Sequence, residues 1–229
     1  MTEHPMLEVL KAGNWGQFQG EFDRLTGWQF YPLLIQTLTE LNHSVLFVST
    51  MHGLGHIERT ILQGGFCAME EGLDRADAEL LLLACSYHDV GRQNDWVDDL
   101  HGWRSAQRIG KITGRTGDDL HILQGMVDAH SRHEPVLRET VAGYHPADPE
   151  RAVNLAQLLK DADGLDRVRL GDLDPRYLRR ESSKRRADLA FEVFQRYQVE
   201  IGLPPKPFFT PEEISSFRAH KDTPKPPEG

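Results

Sequence analysis

Five of the eleven histidines in this 229-residue chain stand where their neighbours or spacing suit chemistry. His88 is followed directly by Asp89 at the end of the apolar run Leu80-Leu81-Leu82-Leu83-Ala84-Cys85-Ser86-Tyr87, and Gly91 comes next but one. Successive helical side chains point roughly 100° apart, so an adjacent imidazole and carboxylate share a target only if it lies against the helix end. A divalent cation is such a target, because the unpaired carbonyls and the negative end of the helix dipole also favour positive charge there. Gly91 is expected to supply the permissive conformation of a helix terminator. Earlier, His52 and His56 lie four residues apart in Met51-His52-Gly53-Leu54-Gly55-His56, and a helix starting near Leu54 puts Arg59 and Thr60 on the face of His56. An imidazole ligand flanked by an arginine suits a metal-bound phosphate. Later come His101, in His101-Gly102-Trp103-Arg104-Ser105, and His130, which continues the apolar face of Leu123, Met126 and Val127. The carboxylates Asp161, Asp163 and Asp166 then follow an apolar helix that ought to be buried. Burying them is expensive unless they are compensated, and Arg167 and Arg169 are at hand to do it. Helical geometry turns Asp161 and Asp163 different ways without saying which faces a metal.

The elements that must hold these groups read as helices. Over 28–41 the apolar residues Phe30, Leu33, Leu34 and Leu38 recur at helical spacing, whereas 1–27 suggests a short helix or irregular cover. The segment 44–48 is β-branched and aromatic but has no partner strand, and is read as an extended lead-in to a helix over 54–71. Asp74 is a good N-cap, with Asp77 three residues on, for a helix apolar on nearly every side. A polar loop over 92–100 leads to helices over 103–112 and 118–131. Asp148-Pro149-Glu150 then combines an N-cap, a proline at the first helical position and an acidic first turn. A basic helix is predicted over 184–201, and Thr210-Pro211-Glu212-Glu213 reads as a capping box for one last short helix before a disordered tail. The fold class expected is all-α, a single-domain helical bundle. Its parts are an N-terminal helical cover over 1–44, a core over 45–203, and a C-terminal short helix with tail over 204–229.

Composition narrows the function. A formal net charge of −9 argues against broad binding to nucleic acid backbones, while leaving room for a nucleotide in a local pocket. No apolar run approaches a membrane span and no leader precedes the helices, so a cytoplasmic protein without a membrane partner is expected. The two cysteines, Cys67 and Cys85, sit in apolar helical surroundings and read as small core residues. The basic tract Arg176, Arg179, Arg180, Lys184, Arg185, Arg186 reads as a solvated face able to attract a polyanion.

His56-Ile-Glu-Arg-Thr at a helix start, Leu-Ala-Cys-Ser-Tyr-His88-Asp89-Val-Gly at a helix end, and Lys160-Asp-Ala-Asp-Gly-Leu-Asp166, in that order, resemble the HD superfamily of metal-dependent phosphohydrolases. The resemblance covers roughly 45–170. It implies four ligands for a divalent metal, on His56, His88, Asp89 and Asp163, with Asp163 preferred to Asp161 because it precedes a leucine by two residues. Two-metal members use further histidines between the His-Asp pair and the last aspartate, where His101 and His130 stand. The paired histidine motif of some two-metal subfamilies is absent. The spacing of His52 and His56 is similar to that of cyclic-nucleotide phosphodiesterases, which implies a proton-donating His52; His101 is a second candidate for that role, and Arg59 for contacting phosphate. The function expected is hydrolysis of a phosphate ester of a nucleotide or related small metabolite by water activated on Mn, Fe, Co, Zn or Mg. The alternative is a non-catalytic module that senses a nucleotide on the same scaffold.

Overall fold

Residues 3–205 are described by a computed structural model, in which eleven α-helices succeed one another without a strand among the described residues. The first three, α1 (Pro5–Ala12), α2 (Gln19–Thr26) and α3 (Tyr31–Thr39), each turn a short apolar stripe inward: Met6 and Val9, then Phe22 and Leu25, then Leu33, Leu34 and Leu38. Helix α3 is shorter than the predicted 28–41. Pro32 falls in its first turn, where a missing N–H costs nothing, and this fixes where it starts. The β-branched stretch at 44–48 forms no strand; its beginning belongs to a 3-10 turn, His43–Val45, capped by the Asn42 side chain, and Leu46 then runs extended.

Helix α4 (Leu54–Glu70) is buried on every side from His56 to Ala68. Two glycines allow this. A Cβ on Gly64 would lie 2.6 Å from Cys85 Sγ, and one on Gly65 would lie 2.9 Å from Leu34 Cδ2, so neighbours close in from both flanks. The next helix, α5 (Arg75–Tyr87), begins where Asp74 Oδ1 accepts from Asp77 N at 2.9 Å. Leu80, Leu81, Leu82, Ala84 and Cys85 are all buried, and truncating a leucine in such a place costs roughly 2–5 kcal/mol. Then follow α6 (His101–Thr113), α7 (Gly117–His130), α8 (Leu137–Ala142) and α9 (Pro149–Leu165). Helices α4, α5, α7 and α9 form the centre, with α6 laid along α7 and α8 against both α7 and α9.

The predicted basic helix over 184–201 is two helices, α10 (Glu181–Lys184) and α11 (Ala187–Glu200). The break at Arg185 and Arg186 sends Arg186 into the interior, where it meets Glu70 and the Cys67 thiol at 3.0 Å. The basic tract is therefore partly structural and not a wholly solvated face. Both cysteines are buried and free, as their surroundings require. No helix among the described residues is long and apolar enough to cross a membrane. The capping box at Thr210 and the tail lie outside the described residues.

Candidate metal centre

The centre lies where α4 begins, α5 and α7 end, and the last turns of α9 pass. His56 is in the first turn of α4 and His88 caps the C-terminus of α5. Gly91 is not in the left-handed region and does not act as a helix terminator. Its role is close approach: a Cβ there would lie 2.4 Å from Ser105 N and 2.5 Å from His101 O. Gly91 N donates to Ser105 Oγ at 2.7 Å and its carbonyl accepts from Arg104 Nε at 2.8 Å, so the start of α6 is clamped beside Asp89. That clamp delivers His101 to the centre.

Around His56 Nε2 lie His88 Nε2 at 3.1 Å, Asp163 Oδ1 at 3.3 Å and Asp89 Oδ2 at 3.6 Å. His88 Nε2 is 3.8 Å from Asp89 Oδ2 and 3.9 Å from Asp163 Oδ1. Ligand atoms that bind one ion at about 2.0–2.2 Å lie roughly 3–4 Å from one another, and these separations have that spacing. A second group meets the other oxygen of Asp89. Oδ1 has His101 Nε2 at 3.2 Å and His130 Nε2 at 3.5 Å, and these two nitrogens are 2.9 Å apart. Asp89 thus stands between two clusters with one oxygen turned to each.

The tautomers sharpen the case. His88 Nδ1 faces the Cys85 carbonyl at 3.0 Å, His101 Nδ1 the Asp98 carbonyl, and His130 Nδ1 the Val127 carbonyl. A carbonyl only accepts, so each Nδ1 carries a proton, and in the neutral ring Nε2 is free to ligate. His56 Nδ1 donates in the same way to Asp166 Oδ2 at 2.8 Å. Burial pushes the pKa of both His56 and His130 down to about 4, with Arg169 adding to the effect on His56 and neighbouring imidazoles on His130. Each facing pair therefore holds a neutral ring, whose Nε2 lone pair is turned toward the other imidazole across about one ion's width. Asp89 Oδ1, buried beside them, has no hydrogen bond of its own. Imidazole nitrogens and carboxylate oxygens that converge in this way fit a divalent cation.

Outside the ligand atoms a set of ion pairs fixes their orientation. Asp166 accepts from Arg59 Nε at 2.6 Å and Nη2 at 3.0 Å, from His56, and from Arg169 Nη1 at 3.3 Å. Burial alone would raise its carboxyl pKa, but Arg59, His56 and Arg169 pull it down to about 2. Arg59 lies 5.1 Å from the Phe194 ring centroid and 5.0 Å from that of Tyr197, with its guanidinium turned toward Asp166. Burial likewise opposes ionisation of Asp89 and Asp163, yet the surrounding imidazoles hold both below the usual carboxylate range. Lys160 donates to Arg132 O at 2.6 Å and Ala129 O at 3.4 Å, which secures the end of α7 that carries His130.

The three late aspartates have three different duties. Asp163 joins the ligand cluster, Asp161 accepts from Arg179 N and Arg180 N at 2.8 and 2.9 Å, and Asp166 holds Arg59 and His56. Arg169, not Arg167, helps to compensate Asp166; Arg167 pairs with Asp172. His52 Nδ1 lies 3.3 Å from Asp89 Oδ2 and 3.2 Å from Arg169 Nη2. Sequence reasoning missed the orienting role of Asp166. Its position three residues after Asp163, and so on nearly the same helical face, was the available signal.

The HD domain model matches residues 53–168, just over half of the 229 residues and inclusive of every ligand candidate named above. No curated protein and no solved structure matches the chain. HD domains bind divalent metals and are typically metal-dependent hydrolases, and the buried His and Asp cluster fits such a site. With the match and the geometry in agreement, the chain belongs to the HD-domain family.

Proposed function

We propose that the chain hydrolyses a phosphate ester of a nucleotide or related small phosphorylated metabolite. His56, His88, Asp89 and Asp163 hold one divalent ion, and His101 and His130 share Asp89 to hold a second. The observation that carries this reading is the two facing pairs of imidazole Nε2 atoms, 3.1 and 2.9 Å apart, on either side of Asp89. A bound divalent ion supplies Lewis acidity, lowering the pKa of water toward neutrality and offsetting charge on phosphoryl oxygens.

The side chains divide the remaining work. His52 Nδ1 stands between Arg169 Nη2 and Asp89 Oδ2, and in the tautomer that accepts from Arg169 its Nε2 proton is offered to a phosphoryl or leaving oxygen. His101 is better placed as a ligand than as a proton donor, because its Nδ1 proton is committed to the Asp98 carbonyl. Arg92 Nε holds Asp89 Oδ2 at 2.9 Å and stands nearer the ligand atoms than Arg59 does, which makes it the preferred arginine for phosphate. Arg59 acts through Asp166 on the orientation of His56.

The test is metal analysis of the purified chain followed by turnover with Mn on nucleotides, cyclic nucleotides and a generic phosphodiester. Stoichiometric metal and hydrolysis of any one of these is expected. Stoichiometric metal with nucleotide binding and no hydrolysis would establish the sensing alternative.

A further inference from the structure

A cavity of about 520 Å³ opens directly onto the centre, with Asp163 and His130 in its wall. Most of the remaining wall is the connection 172–179, which leads from the 3-10 turn Asp166–Leu170 to α10. This connection anchors itself in the core through Leu178 and turns other side chains outward. Tyr177 is 78% exposed, and the Arg176 side chain is 81% exposed. A tyrosine ring left in solvent at the mouth of a polar cavity buries no apolar area in the fold, but it offers a flat stacking face.

The charges of the wall point the same way. Lys160, Arg167, Arg176 and Arg179 line the cavity together with Asp163, Asp172 and Asp174. With Asp163 committed to a metal, cations outnumber carboxylates. Lys160 and Arg179 are engaged with Glu134. Arg167 and Arg176 are held by Asp172 and Asp174, aspartates of the same connection. The Arg176 guanidinium is itself exposed, so a phosphate can approach it from the solvent side while Asp174 holds its other edge.

We propose that this cavity holds the part of the substrate beyond the scissile phosphate and selects a nucleotide with at least one further phosphate. Tyr177 stacks on the base, and Arg176 and Arg167 take the additional phosphate. The volume lies in the range of sites that enclose a small ligand, and a bare sugar phosphate would leave most of it empty. This inference rests on the phosphohydrolase reading for the position of the scissile group.

Calorimetric titration of the full chain, with and without Mn, tests it using ADP, AMP and ribose 5-phosphate against wild type, Tyr177→Leu and Arg176→Gln. Both substitutions are at exposed positions, so folding is preserved and circular dichroism confirms it. Wild type should bind ADP about ten-fold tighter than AMP, and ribose 5-phosphate most weakly. Tyr177→Leu should weaken both nucleotides by roughly ten-fold or more, the effect of removing one base stack, and leave ribose 5-phosphate unchanged. Arg176→Gln should erase most of the preference for ADP. Equal affinity for the three ligands, or nucleotide affinity indifferent to Tyr177, overturns the subsite. If the Tyr177 and Arg176 dependence is found but nothing is hydrolysed with Mn, the hydrolase reading falls and the subsite stands. If a generic phosphodiester is hydrolysed while neither substitution affects nucleotide binding, the subsite falls and the hydrolase reading stands.

Discussion

Asp166→Asn probes the orientation of the centre without touching a ligand. In the wild type, one carboxylate receives two bonds from Arg59, one from His56 and one from Arg169. An asparagine keeps one acceptor oxygen and puts an NH2 group in place of the other. If the oxygen faces His56 Nδ1, the amide opposes Arg59 Nε; if it faces Arg59, His56 loses its acceptor. Each lost bond to a charged group costs about 1.5–3 kcal/mol, and the buried arginines lose their counter-charge as well. Removing a carboxylate behind a metal-bound histidine lowers metal affinity by about 10–100-fold, which is roughly 1.4–2.7 kcal/mol. The expected result is a Zn or Mn dissociation constant raised by that factor in a chelator-competition titration, with urea unfolding of the metal-free chain shifted to lower denaturant. Arg59→Lys is the companion variant. It breaks the bidentate pair but leaves His56 Nδ1 its acceptor, so metal affinity should change several-fold at most while stability still falls. A folded Asp166→Asn chain that binds metal as tightly as wild type would refute the reasoning, because His56 would then need no orienting partner.

Three further outcomes follow from the same geometry. His88→Ala and Asp89→Ala should each abolish metal binding and turnover together, and Asp89→Ala should remove both metals because its two oxygens serve both clusters; a variant with full activity sinks the ligand assignment. In the metal-free chain, Glu58 is raised to about 7, chiefly by burial, so the stability it contributes is complete below 4.5 and lost as pH rises through 7. His56 and His130, lowered to about 4, act oppositely: their contribution is present above 6.5 and lost as pH falls through 4. Glu58→Gln should therefore be more stable than wild type above pH 7 and lose stability more steeply on acidification; identical pH profiles in urea unfolding would rule this out. Gly91→Ala should cost about 1–3 kcal/mol by overpacking, toward the upper end because the nearest atoms are backbone, and should weaken metal binding by displacing His101; an unchanged melting temperature would contradict the close-approach role.

What the sequence made legible was whatever depends on local rules. The Asp74 cap, the Pro149 start and the His-Asp pair at a helix end are signals within a few residues, and the elements formed there. The late aspartates were legible as a group but not by duty, since those duties depend on partners far away in sequence. Arg59 and Asp166 are separated by 107 residues, and no periodicity links them. Gly91 was misread for a similar reason. From its neighbours alone a glycine after a helix suggests a left-handed terminator, whereas its actual requirement comes from the backbone of α6 pressing on it. The basic tract was misread as a wholly solvated face because burying Arg186 against Glu70 is a tertiary event that no local pattern announces.

The charges of the centre explain both why it folds and what it awaits. Apart from its imidazoles, the ionic groups are Asp89, Asp163 and Asp166 on one side and Arg59, Arg92 and Arg169 on the other. Three carboxylates against three guanidinium groups leave the metal-free centre close to neutral, which keeps the desolvation penalty of so many buried ions tolerable. A divalent ion between the lone pairs disturbs that balance in one direction only. It would add positive charge to a centre whose carboxylates are already balanced by arginines. On the proposed function, a phosphate group would answer it from the side of the cavity, whose wall is itself rich in arginine. Metal and phosphate should therefore strengthen each other's binding, because each supplies the counter-charge the other lacks.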